Sequence, residues 1–218
     1  MAKNNINNKE GFTIIEVVFV LAIAGLIFLM VFVALPALQR SQRDTQRRND
    51  MSRVDTSLSQ YQTNHSNQTN NLPAAGRQDF SGSGNSFPEG CNGNSACTFV
   101  RDYMNTGSSE NDGKDNNFQD PDGVPYSLVI TCNWGESSCT NPATNSAIGT
   151  SQLSQASASD GTSGYTITNN SGQAFDAHVV YIIPGGRCIG DVVAKSSTRH
   201  FAILYRLEGA GTYCIDDQ

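Results

Sequence analysis

The chain has 218 residues, room for one ordinary domain plus an extra segment but not for two full domains. Its formal charge is −6, and because residues 1–11 and 12–58 each carry +1, the remainder carries −8. A surface that tracks phosphates carries a basic excess, so this balance argues against nucleic-acid binding through the bulk of the acidic distal part.

Residues 1–11, MAKNNINNKEG, are polar. From Phe12 to Leu38 only Thr13, Glu16, Gly25 and Pro36 among 27 residues are not apolar. As a helix this run extends roughly 40 Å, against about 30 Å of bilayer hydrocarbon, so it predicts a membrane span. A secretory signal has a shorter apolar region of about 7–15 residues with small residues at its end. Leu38-Gln39-Arg40-Ser41 offers no such cleavage site, so the span is expected to stay attached. Arg40, Arg43, Arg47, Arg48 and Arg53 follow the span, and only Lys3 and Lys9 precede it. The positive-inside rule alone would place the distal part in the cytoplasm.

The cysteines give the opposite orientation. All six (Cys91, Cys97, Cys132, Cys139, Cys188 and Cys214) lie beyond the span. An even number in a polar segment reads as three disulfides, which persist in oxidising compartments, so the distal part is expected outside the cytoplasm. Their spacing does not match paired zinc knuckles, and His65, His178 and His200 are the only imidazoles. Of 15 connectivities, adjacency favours Cys91 with Cys97, Cys132 with Cys139, and Cys188 with Cys214.

Residues 39–50 have helix-forming side chains, no Gly or Pro, and nothing strongly apolar, so helix continues through them without a core face. Met51, Val54, Leu58 and Tyr61 then recur at helical spacing, a stripe expected to dock on a sheet, with the helix ending near His65. Pro36 removes one backbone hydrogen bond and predicts a kink there. The FVRDYM run predicts a helical turn, and Tyr126–Thr131, Tyr165–Thr168, His178–Ile183 and Phe201–Leu207 predict strands. Residues 133–164, biased to Ser, Thr, Asn and Ala, read as a long exposed loop. Trp134 is expected to pack on a disulfide.

Gly11-Phe12-Thr13-Ile14-Ile15-Glu16 strongly resembles the cleavage and methylation signature of type IV prepilins. The shared features are a polar leader, a small residue at the cut, an aromatic new N-terminus, an acid five residues in, and an uninterrupted apolar helix. The resemblance implies cleavage between Gly11 and Phe12, N-methylation of Phe12, and an assembly role for Glu16 as partner of a neighbouring subunit's amine. A carboxylate in an apolar helix is costly and marks a function. The plain alternative is a signal anchor in which Glu16 snorkels to the interface and Gly11 is incidental. In the family a helix-breaking proline falls earlier, at Val33 here, so Pro36 departs from the pattern.

The implied fold is α+β, with the distal half of a long helix packed on a small antiparallel sheet. The implied organisation is a leader over 1–11, a transmembrane and filament-core helix over 12–38, an amphipathic extension over 39–65, and a disulfide-tied β-rich head over 66–218. The implied life cycle is that of a single-pass protein of the cytoplasmic membrane, its C-terminal part extracytoplasmic, which later joins an extracellular filament. A prepilin peptidase, an assembly ATPase, a platform protein and other copies of the chain are the implied partners.

Asp120-Pro121-Asp122-Gly123-Val124-Pro125-Tyr126 resembles a stretch of major pseudopilins whose adjoining loop holds calcium. Asp115, Asp120 and Asp122 are therefore candidate calcium ligands, although Asp-Gly and Pro-Asp sequences also simply make turns. No nucleophile elbow, Walker loop, H-E-x-x-H helix or Rossmann glycine pattern occurs, so catalysis has no visible carrier. The function read from the sequence is that of a structural subunit of a pilus-like filament serving adhesion, motility or DNA uptake. A minor pilin or pseudopilin of a secretion or competence system is the first alternative, and a single-pass anchored adhesin or other binding protein the second. An anchored enzyme is the weakest.

Overall fold

The computed structural model describes residues 11–66, 72–79, 99–104, 118–134, 139, 141–143, 153–168, 178–208 and 211–217. The chain divides into two compact units, Met1–Gln42 and Arg43–Gln218.

The first unit contains the start of α1, a helix that runs Ile14–Asn64 and passes through Pro36. The Thr13 carbonyl opens it, accepting the amides of Glu16 and Val17. The large apolar side chains from Phe12 to Leu38 are exposed, and the helix is long and apolar enough to cross a membrane.

In the second unit, α1 contributes the buried stripe Asp44, Arg47, Met51, Val54, Leu58 and Tyr61. The expectation that residues 39–50 offer no core face needs correction, because Asp44 and Arg47 are buried through ion pairs rather than apolar contact. Short strands follow: β1 (Gly76–Asp79), β2 (Ser127–Ile130), β3 (Leu153–Ser157), β4 (Ser163–Ile167), β5 (Val179–Pro184), β6 (Gly186–Ile189), β7 (Val192–Lys195), β8 (Phe201–Arg206) and β9 (Thr212–Asp216). A π-helical turn spans Val100–Met104 where the sequence predicted a helical turn.

The strands form two sheets rather than one. The first has the order β1-β2-β5-β8-β9, and the second β3-β4-β7-β6. Pairing is antiparallel except between β2 and β5, which run parallel. Alternate residues of the first sheet point to opposite sides. Leu128, Ile130, Val180, Ile182, Phe201, Ile203 and Tyr205 join the helix stripe in one core. Val129, Tyr181, Ile183, Ala202 and Leu204 join Trp134, Leu153, Tyr165, Ile167 and Val193 in another. The first sheet is thus a middle layer with both faces covered, which explains why its central strands are apolar throughout rather than alternating.

This layering overturns the long-loop expectation for residues 133–164. Trp134, Cys139, Leu153 and Ala158 are buried, and β3 and the start of β4 lie in that interval. The small polar residues over 153–164 belong to a hairpin of β3 and β4 whose inner positions cover the first sheet's second face. Trp134 stands edge-on to Tyr165, with ring centroids 5.1 Å apart. Gly185 joins β5 in one sheet to β6 in the other with φ +77°, and a side chain there would meet the Trp134 carbonyl oxygen at 2.2 Å. Only glycine suits both the conformation and the space.

Two disulfides reinforce these joints. Cys132–Cys139 closes the chain after β2, and Cys188–Cys214 ties edge strand β6 of one sheet to edge strand β9 of the other. The Cys188 amide also donates to the Asp216 carboxylate at 2.6 Å. Cys91 and Cys97 lie outside the described residues.

Candidate functional sites: the helix N-terminus, and a charged collar in the second unit

Thr13 precedes the first helical residue and Glu16 sits three positions later, the spacing of a capping box. A carboxylate in the first turn also suits the positive end of the helix dipole. Glu16 therefore suits the first turn of the helix as well as the assembly role the resemblance implies, a fit that T-x-x-E could have signalled in the sequence. Gly11 and Phe12 lie before the helix and are exposed, with open space around the Gly11 Cα. This leaves the Gly11–Phe12 bond accessible to a peptidase.

In the second unit a collar of charged groups holds α1. Arg47 donates from Nε and Nη2 to the two oxygens of Asp120, at 2.6 and 2.7 Å, and from Nη1 to Asp44 at 3.2 Å. Arg47 is 3% exposed and Asp120 2%. Arg43 donates to both oxygens of Glu208, each at 2.6 Å, and the Glu208 amide donates to Asp44 at 2.8 Å. Arg48 lies over the Tyr213 ring, 5.3 Å from its centroid, and Arg53 pairs with Asp50. Arg43, Arg47, Arg48 and Arg53, which conflict with the positive-inside rule, thus have partners within the folded unit.

Topology gathers these partners. β5 is parallel to β2 and antiparallel to β8, so the start of β2 and the end of β8 lie at one end of the first sheet. Asp120 precedes β2 and Glu208 follows β8, and both meet the same turns of α1. Hydrogen bonding to Asp120, strong enough to outweigh burial, raises the Arg47 pKa further above its ordinary value. Burial, then the Asp120 and Asp50 charges, raise the Tyr126 phenol, which donates to Asp50 at 3.3 Å.

Asp120 also begins a tight turn. Its amide donates to the Val124 carbonyl at 2.8 Å and its carbonyl accepts from Gly123 at 2.7 Å. Asp122 pairs with His178 at 2.8 Å. Burial opposes the Asp122 charge, but the His178 hydrogen bond and the Val124 amide hold its carboxyl below the usual range. Ligand-capable atoms of Asp120, Asp122 and His178 lie within 4.8 Å of one another. Calcium takes about six to eight oxygen ligands, whereas here one donor is a nitrogen and both Asp120 oxygens already accept from Arg47. These three residues do not by themselves fit a calcium site, and Asp115 lies outside the described residues.

The other histidines have structural partners. His65 Nδ1 lies 2.9 Å from the Tyr61 carbonyl with its ring stacked on Tyr61, and His200 Nδ1 lies 3.1 Å from Asp217. Sequence reading missed Arg47, Asp44 and Glu208 as a group. The only local signal was a buried-stripe spacing that continues from Met51 back through Arg47 to Asp44.

A family model described as the prokaryotic N-terminal methylation motif matches residues 6–32. No curated protein and no solved structure matches the chain.

Proposed function

We propose that this chain, which carries the N-terminal signature of type IV pilins and pseudopilins, is a structural subunit of a pilus-like surface filament. Proteins with this signature are structural rather than catalytic, and the signature implies processing by a prepilin peptidase and delivery to a pilus-type assembly machinery. The observation that carries the proposal is the match over residues 6–32 placed on an apolar helix whose large side chains are exposed. In lipid such a surface is solvated by acyl tails; on leaving lipid it must be covered, and other copies of the same helix can cover it. Cleavage after Gly11 frees the Phe12 amine, and Glu16 of a neighbouring copy supplies the opposite charge. The disulfide-tied unit then lies outside the cytoplasm and forms the filament's exterior, serving adhesion, motility or DNA uptake.

A second reading, a minor pilin or pseudopilin of a secretion or competence system, is favoured by the Asp120–Tyr126 stretch. One experiment addresses both readings: the mass and N-terminal sequence of the protein from its native cells, in membranes and in sheared filaments. A chain beginning at methylated Phe12 that dominates the filaments supports the major-subunit reading. The same processed chain as a trace component supports the second. An intact leader in surface material overturns both and favours an anchored binding protein.

A further inference from the structure

The face of α1 that docks on the first sheet is built from a near-repeat. Asp44, Arg47, Met51, Val54, Leu58 and Tyr61 are its buried residues, spaced alternately three and four apart. Sliding the helix by one stripe position, about 5 Å, brings each residue to its neighbour's place, and Met51, Val54, Leu58 and Tyr61 are all apolar. Shape complementarity favours one register, but a core of large side chains tolerates much exchange when total volume is kept. The other polar contacts along this face are more exposed and discriminate less. The Arg43 and Glu208 side chains are each one-third exposed, the Glu208 amide reaches Asp44 from a half-buried position, and Tyr126 meets half-buried Asp50 at 3.3 Å. Gln62 donates to the Arg199 carbonyl at an exposed position, and Ser57 to the Tyr103 carbonyl at a half-buried one. Water can replace either.

The Arg47–Asp120 pair discriminates in both directions. If Met51 moves to the place of Arg47, the sites of Met51, Val54 and Leu58 stay apolar and His65 takes that of Tyr61, but Asp120 faces a thioether with both guanidinium donors gone. If Arg47 moves to the place of Met51, a guanidinium enters a wholly buried apolar site and Asp44 arrives opposite Asp120, carboxylate against carboxylate. Each slide leaves a buried charge uncompensated, the costliest outcome for such a group. We infer that Arg47 and Asp120 are the positioning residues that select a single register of α1 on the first sheet.

This inference rests on the second unit's geometry alone; its consequence for assembly rests on the filament reading. A helical polymer needs identical subunits, and a mixture of registers would introduce one-turn steps among them.

The test uses the full chain in detergent, with nitroxide labels on cysteines introduced at exposed Thr56 and Lys195, and reads the distance distribution by pulsed electron paramagnetic resonance. The otherwise native chain is expected to give one population. R47M leaves Asp120 unpaired and is expected to lower Tm. R47M/D120L, which removes both charges, is expected to recover Tm and to show a second population displaced by up to about 5 Å, the stripe step. R47Q/D120N, which keeps polar side chains able to hydrogen-bond without charge, is measured in parallel and is expected to show the same second population. A single distance in whichever double variant melts cooperatively overturns the inference, because core shape alone would then set the register. Filament formation plays no part in this readout, so failure of the filament reading leaves it intact.

Discussion

Arg47 meets Asp120 through both carboxylate oxygens, 73 residues away in sequence, with each side chain almost excluded from water. Breaking such a pair from one side leaves a buried charge without a partner. Arg47→Ala or Asp120→Ala is expected to cost about 3–5 kcal/mol of stability. Denaturant melting of the full chain in detergent measures this, and a loss within the ordinary surface range of about 0.5 kcal/mol would contradict the burial assigned to the pair.

Gly185→Ala is expected to be among the most damaging single-methyl changes in the molecule. The added carbon would sit 2.2 Å from the Trp134 carbonyl oxygen, at a φ of +77° that side chains rarely adopt. Relief requires moving the joint between the two sheets. A loss of about 2–4 kcal/mol is expected from strain and clash together, readable as reduced protease resistance and a lower Tm.

Removing the Cys188–Cys214 bridge as a Cys188→Ser/Cys214→Ser pair is expected to cost about 2–4 kcal/mol, the usual range for a bridge closing a loop of this size. The bond spans 26 residues and joins one edge strand from each sheet. Hydrogen exchange is expected to rise first in β6 and β9, and uniform protection across both would count against a stapling role.

Asp55 gives a pH-dependent prediction. One of its oxygens is buried without a partner among the described residues, and burial, then the Asp217 and Asp216 charges, raise its pKa. Folding therefore favours its protonated form. That contribution is fully present below the unfolded pKa of about 4 and is lost as pH rises through the raised folded value. Asp55→Asn is expected to be more stable than the native chain near pH 7, with the advantage fading as pH falls through that window. Paired thermal melts from pH 3 to pH 7, on the order of one per pH unit, would show this crossover; a constant difference would exclude the ionisation as its cause.

The readable parts of the fold were those with a local period. The apolar run, the Met51–Tyr61 stripe and strands β2, β4, β5 and β8 announce themselves within short windows, and the N-terminal signature is contiguous. β1, β3, β6, β7 and β9 are short and carry Ser, Gly, Arg, Lys or Asp, so their strand state depends on pairing with other strands rather than on their own composition. A clue was nevertheless present. YSLVIT, HVVYII and FAILYRL are apolar at nearly every position, which implies strands covered on both faces, and one helix can cover only one. The second sheet follows from that count. The charged collar was illegible for a different reason: Arg47 reads as one of several surface arginines until folding brings Asp120 and Glu208 to it.

The parallel pairing of β2 with β5 carries a kinetic consequence. Parallel strands need a long connection, and here β3 and β4 are inserted between the partners. The stripe of α1 likewise meets residues 128–130, 180–182 and 201–205, and Arg43 waits for Glu208, 165 residues downstream. Contacts of such high sequence separation make folding slow, because loop closure precedes any reward from contact. The earliest part of the chain to be synthesised is therefore among the last to acquire its partners, and its stripe stays available for mispairing until β8 and the Glu208 turn have emerged. An export route that delays release, or a chaperone that shields an amphipathic helix during that interval, would have most to protect in this molecule.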